Sequence, residues 1–251
     1  MTTAFDVISD DFLSDLEAIS DLVRLVDNGG GSSKSRIASI NSATLLLAAT
    51  FEELVREMGR QYAREVVAHT KTVSLLPQKL IATAWKRTLE NMARAKIDNG
   101  GTPTPLLRIA ADARTDFDAI CKFLEGDISQ NIYTHIAHNE NNMRPQQMNA
   151  IFNVCNLGNI CEKISRTTFV MDFLTEEHEH QADIKFRYLL NNFMEKRNAI
   201  AHSLNPGSSE GAEQFADDVN LMRAIALGLA SLLPDHLPKE IVTDPAFEFE
   251  T

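Results

Sequence analysis

Apolar residues recur every three or four positions through most of this chain, which is the spacing of a helix with one buried face. No segment of useful length alternates apolar and polar residues with the period of a strand. The clearest series lies near the N-terminus, at Phe5, Ile8, Phe12, Leu16, Ile19, Val23 and Val26. A second runs near the C-terminus, at Phe215, Val219, Met222, Ala226, Leu229 and Leu233. The pattern predicts an all-α fold, a helical bundle.

Between these two series the periodicity predicts further helices, which are at residues 35–68, 75–97, 106–124, 128–137 and 148–164. Glycine, proline and asparagine interrupt the pattern at 98–105 and 139–145. We expect one helical domain over residues 1–251. Residues 98–175 then form a helical elaboration inserted in the middle of the chain.

Charge and cysteine usage limit the kind of protein. With 24 basic and 35 acidic residues the net charge is −11, which argues against an extended nonspecific coat for nucleic acid but allows a local cationic cleft. Cys121, Cys155 and Cys161 lack a CxxC spacing and are expected to be buried free thiols. No apolar run reaches the ~20 residues of a membrane span, and the acidic N-terminus does not resemble a signal peptide. We expect a cytoplasmic location.

The segment Met194–Ser203 is where helix pattern and residue chemistry conflict. Before it, one apolar stripe passes through Phe186, Leu189, Leu190 and Phe193. The next position on this stripe is Arg197, whose charge cannot be removed by losing a proton and therefore needs a partner if it is buried. A snorkelling arginine is the alternative. Asn198 and His202 lie four residues apart on the neighbouring ridge.

Arg197 and His202 are five residues apart, so on an unbroken helix they point about 140° away from each other. One helix therefore cannot direct both side chains at one point. Either the helix ends or bends near His202, as Asn205-Pro206-Gly207 suggests, or a second copy of the chain completes the site.

Glu52 is the predicted partner of Arg197. Its helical neighbours Ala48, Ala49 and Val55 are apolar, whereas Glu53 faces Arg56 and Glu57. The pattern thus buries Glu52 and leaves Glu53 in solvent, and a buried carboxylate needs a counter-ion. A surface position at the edge of the stripe is the alternative for Glu52.

With these residues in view, the chain resembles the HEPN superfamily of helical-bundle domains, whose signature is an arginine, four to six residues, and a histidine. Arg197-Asn198-Ala199-Ile200-Ala201-His202 matches it, including the polar residue after the arginine. The segment Ile40–Leu54, with Phe51 before Glu52, is similar to the second helix of the RiboL-PSP-HEPN or MAE_28990-like branch. The resemblance covers about residues 35–97 and 180–234, and it implies that these form the core of an up-and-down helical bundle.

The resemblance implies a metal-independent endoribonuclease that leaves 2′,3′-cyclic phosphate ends, acting in toxin-antitoxin or antiphage defence. It implies an RNA substrate, a homodimer whose two motifs share one site, and a possible antitoxin or regulatory protein as partner. His202 would move protons and Arg197 would stabilise charge on the phosphate. Asn198 would orient the histidine or the phosphate, Glu52 would hold Arg197, and Lys196 would bind substrate. No cofactor or metal is expected, because the acidic and histidine-rich segment 175–183 lacks a metal-ligand spacing.

A different class of function remains open from the sequence. Many HEPN proteins are non-catalytic RNA-binding or protein-interaction modules, and the acidic balance of this chain does not favour RNA binding. In such a module Arg197 and His202 would stabilise an interface. The combination of arginine, asparagine and histidine favours the enzyme, because an interface has little need of all three.

Overall fold

Helices account for all the regular structure in the described part of the chain, as the periodicity predicts. The computed structural model describes residues 2–29, 31–97, 103–134, 136–137, 142–202 and 211–239. These residues contain nine α-helices and two short 3-10 helices and no strand. The α-helices are α1 (Ala4–Asn28), α2 (Ser33–Thr70), α3 (Gln78–Ile97), α4 (Pro103–Leu124), α5 (Pro145–Asn153), α6 (Ile160–Ser165), α7 (Thr168–Leu174), α8 (Glu179–His202) and α9 (Ala212–Leu232).

The long helix α2 lies at the centre of the bundle and packs against α1, α5, α8 and α9. Its middle is buried, with Ala43, Leu47, Ala48, Phe51 and Val55 fully or almost fully inaccessible. The regular series of α9, from Phe215 to Leu233, is buried within the chain against α1, α2, α6 and α7. The series therefore contributes to the core of one molecule and not to an interface between two molecules.

The middle third adds a helical hairpin and a group of short helices. Helices α3 and α4 pack on each other, with the rings of Trp85 and Phe117 5.8 Å apart between their centroids. Helices α5, α6 and α7 pack on α8 or α9 and so belong to the same core as the bundle. Cys155 and Cys161 are buried there, as predicted, and Cys121 on α4 is half-buried.

The helix predicted over residues 128–137 is wrong. The described residues of 125–137 form turns, because Asp127 and Asn131 bind the backbone locally. Asp127 accepts from the Ser129 backbone at 3.1 Å, and Asn131 accepts from the Tyr133 backbone at 3.2 Å. Hydrogen bonds from the Ser129 side chain, the Gln130 side chain and the Ser129 backbone lower the pKa of Asp127.

The predicted helix 148–164 is divided into α5 and α6. Asn156 and Asn159 adopt left-handed backbone conformations, with φ of 62° and 55°, and they interrupt the helix. Asparagine tolerates this conformation better than most residues. The break thus depends on the two asparagines, which the helical periodicity did not identify as an interruption. At the start of α3, Pro77 moves the first helical residue from 75 to Gln78.

Candidate functional site

Helix α8 carries the Arg197–His202 motif on the edge of its buried face. Phe186, Leu190 and Phe193 are buried and Leu189 is half-buried, so the predicted stripe is correct in outline. These residues pack inside the chain, where α8 contacts α2 and α7, and they do not form a subunit interface. Arg197 continues this face where the core ends, and 28% of its side chain is exposed.

The Arg197 guanidinium has polar partners on three sides. Its Nη1 donates to Asn142 Oδ1 at 2.9 Å and to Asn198 Oδ1 at 3.1 Å. Its Nη2 lies 3.9 Å from Glu52 Oε1 on α2. The charge is therefore held by partners from α2, α8 and the connection before α5, and Arg197 is not a snorkelling surface residue.

Glu52 is buried and Glu53 is exposed, as the pattern predicts. Arg197 is not its closest partner: Glu52 Oε2 accepts from Arg56 Nη2 at 3.1 Å. Oε1, the oxygen nearest Arg197, has no hydrogen-bond partner among the described residues. The carboxylate thus stands between two guanidiniums and compensates both charges.

Arg56 also belongs to a row of ion pairs along α2. Its Nη1 lies 3.2 Å from Glu53 Oε2, and Arg60 pairs with both Glu53 and Glu57. Partial burial raises the pKa of Glu53, but the hydrogen bonds and charges of Arg60 and then Arg56 outweigh it and lower that pKa. Sequence spacing assigned Arg56 to Glu53 alone, whereas the side chain reaches both carboxylates.

Asn198 has a defined orientation, because its Oδ1 accepts from Arg197 Nη1 and from Asn142 Nδ2. The amide nitrogen is thereby left on the other side as a donor. Asn142 was not predicted as a site residue, because the sequence identified residues 139–145 only as an interruption of the helical pattern. Asn142 and Arg197 are 55 positions apart, and no helical period relates two positions at that distance.

His202 is the last described residue of α8, and it is exposed. It makes no hydrogen bond or ion pair with any residue that the structure describes. Because α8 is helical as far as His202, the imidazole lies about 140° around the helix from Arg197. The structure therefore does not bring the side chains of Arg197 and His202 together. Around the axis of α8, Asn198 lies between the two. The predicted helix stop at 205–207 lies outside the described residues.

Lys196 lies on a different side of α8 from Arg197, about 100° around the helix. Its Nζ donates to Asp218 Oδ2 of α9 at 2.6 Å, and both side chains are largely buried. They line a groove of about 410 Å³ in which Glu195 and Asp217 add two more carboxylates. The structure thus gives Lys196 a partner within the chain and does not bring it to the Arg197 side.

The sequence from residue 10 to residue 232 matches the RiboL-PSP-HEPN family. The chain belongs to the RiboL-PSP-HEPN family. Searches among curated proteins and among solved structures found no match.

The all-α architecture agrees with membership in this HEPN family. The matched range covers more of the chain than the Arg197–His202 motif and the second-helix segment. The matched range begins within α1 and includes residues 98–175. Within the described residues, no helix combines the length and apolar character that crossing a membrane requires.

Proposed function

We propose that this HEPN protein is a metal-independent endoribonuclease that cleaves RNA to 2′,3′-cyclic phosphate ends. The observation that carries the proposal is the arrangement at the end of α8. A guanidinium held by Glu52, Asn142 and Asn198 precedes an exposed imidazole by five residues. A fixed cation and a free proton-transfer group are the two functions that this chemistry requires.

The reaction uses the nucleophile of the RNA itself. His202 accepts the proton of the 2′-hydroxyl, the 2′-oxygen bonds to the adjacent phosphorus, and the bond from phosphorus to the 5′-oxygen breaks. Arg197 stabilises the negative charge that builds on the non-bridging oxygens, and the amide nitrogen of Asn198 adds a donor. A proton reaches the departing 5′-oxygen, so the products are a 2′,3′-cyclic phosphate and a 5′-hydroxyl.

We infer that two copies of the chain complete the site. The 140° between Arg197 and His202 prevents one α8 from directing both at one phosphate, whereas two motifs facing one cleft can do so. Ala199 is exposed on the same face as His202, so its small side chain lets another chain approach closely. A second His202 in the cleft would supply the proton for the 5′-oxygen.

The alternative is a non-catalytic HEPN module that binds RNA or a partner protein. It is favoured by the pairing of Lys196 with Asp218, which leaves the site with fewer available cations than the motif suggests. Biological roles in toxin-antitoxin or antiphage systems, with an antitoxin as partner, fit either function and are proposed on the resemblance alone.

RNA cleavage by matched histidine variants distinguishes the nuclease from the non-catalytic module. Wild type, His202→Ala and His180→Ala are expressed in a bacterial host, and RNA ends are mapped by ligation specific for cyclic phosphates. His180 is an exposed histidine at the other end of α8 and serves as the control. We expect new cyclic-phosphate ends with wild type and His180→Ala and none with His202→Ala. Identical RNA ends in all three strains would refute the nuclease.

A further inference from the structure

Asn142 is the closest partner of the Arg197 guanidinium from outside its own helix. The contact from Asn142 Oδ1 is 2.9 Å, whereas that from Glu52 Oε1 is 3.9 Å. The other oxygen of Glu52 is engaged by Arg56. The direction of the guanidinium therefore depends on Asn142 more than on its buried counter-ion, because a hydrogen bond is directional and an ion pair at 3.9 Å is not.

The same amide also orients Asn198. Asn142 accepts from Arg197 through its oxygen and donates to Asn198 through its nitrogen. Arg197 and Asn198 are joined in turn by the 3.1 Å hydrogen bond between them. Of the side chains found in proteins, only a carboxamide combines a fixed donor and a fixed acceptor at this spacing. The three residues thus form a closed triangle in which each fixes the other two.

The connection that carries Asn142 is anchored to the bundle at its next residues. Met143 is completely buried, and Pro145 begins α5 and is also buried. Arg144 lies 3.4 Å from Glu195, one turn before Asn198 on α8. A segment held in this way can place an amide accurately, as positioning residues require.

We propose that Asn142 is a positioning residue of the site. It sets the direction of the Arg197 guanidinium and turns the Asn198 amide nitrogen toward the substrate phosphate. The inference rests on the proposed nuclease, and it makes the segment 142–144 directly before α5 a functional part of the fold. Asn142 itself acts through Arg197 and Asn198 and not on the RNA.

A thermodynamic cycle tests the contact without any cleavage assay. Urea unfolding is measured for wild type, Asn142→Ala, Arg197→Ala and the double variant. We expect the loss in the double variant to be smaller than the sum of the single losses, because the two variants remove the same hydrogen bond. Additive losses would overturn the contact. Asn142→Leu, which keeps the volume but can neither donate nor accept a hydrogen bond, replaces the alanine variant if that one does not fold.

Cleavage kinetics on a defined RNA test the positioning role of Asn142. We expect Asn142→Ala to lower kcat about tenfold or more while KM changes less than about threefold, since misplacing a catalytic group affects the reaction step most. Asn192→Ala, an exposed asparagine on α8, should match wild type. An unchanged kcat in Asn142→Ala, or an equal loss in Asn192→Ala, would overturn the positioning role alone. A wild type that cleaves no RNA would instead refute the nuclease, and the role of Asn142 with it.

Discussion

Glu52 Oε1 lies 3.9 Å from Arg197 Nη2 and has no hydrogen-bond partner in the described part of the chain. The carboxylate comes from the central helix α2 and the guanidinium from α8, so this ion pair connects the motif with the core of the bundle. Arg56 binds the second oxygen of the same carboxylate at 3.1 Å. One negative charge therefore compensates two positive ones.

Glu52→Gln is expected to destabilise the protein by about 1–3 kcal/mol and to lower RNA cleavage. The amide still accepts a hydrogen bond from Arg56, which keeps Glu53 as a counter-ion, but it leaves the partly buried Arg197 guanidinium without a counter-charge. Unfolding in urea measures the stability. Glu53→Gln is the control, since Glu53 is exposed and its ion pairs should contribute less than about 1 kcal/mol. Equal losses in the two variants would contradict a special role for Glu52.

Lys196→Met separates a structural role of Lys196 from substrate binding. We expect a loss of stability, about 1–3 kcal/mol, because Asp218 keeps a largely buried charge without this cation. The double variant Lys196→Met/Asp218→Asn should recover much of the loss by removing both charges. RNA affinity is then measured by fluorescence anisotropy at two salt concentrations. Normal stability with a clear loss of affinity would favour substrate binding by Lys196.

Ala199→Glu is expected to convert a dimer into monomers if two motifs share a cleft. The substitution places a longer, charged side chain on the exposed face beside His202, where the chains would approach. Light scattering after size-exclusion chromatography gives the mass. Asn192→Glu, exposed about two turns earlier on α8, is the control and should leave the mass unchanged. A wild type that is monomeric at high concentration would contradict the shared site.

The cysteines are expected to react in a defined order. Burial raises the pKa of Cys155 and of Cys161 to about 12, so at pH 8 both remain protonated thiols and react slowly. Cys121 is only half-buried and should react first. Alkylation with iodoacetamide, followed by peptide mass spectrometry, gives the order. Modification of Cys155 or Cys161 as fast as Cys121 in the folded protein would contradict the packing of α5 and α6.

The local features of the site could be predicted because they depend on neighbours one or two turns away. Glu52 has apolar residues around it on α2, which indicates its burial, and Glu53 has charged ones. The helix 128–137 could not be excluded in the same way. There, the side chains of Asp127 and Asn131 compete with the helix for backbone hydrogen bonds. The spacing of apolar residues carries no information about that competition.

Helix periodicity in the chain was enough to predict the bundle, the place of Arg197 at the edge of a buried face and its 140° separation from His202. Only the tertiary structure shows which groups meet Arg197 and Lys196. Asn142 reaches Arg197 from 55 positions away, and Asp218 reaches Lys196 from 22. Hydrogen bonds between distant segments depend on how helices pack, and that packing is settled by the summed burial of many side chains. A periodic pattern records which face of a helix is buried but not which residue lies opposite it.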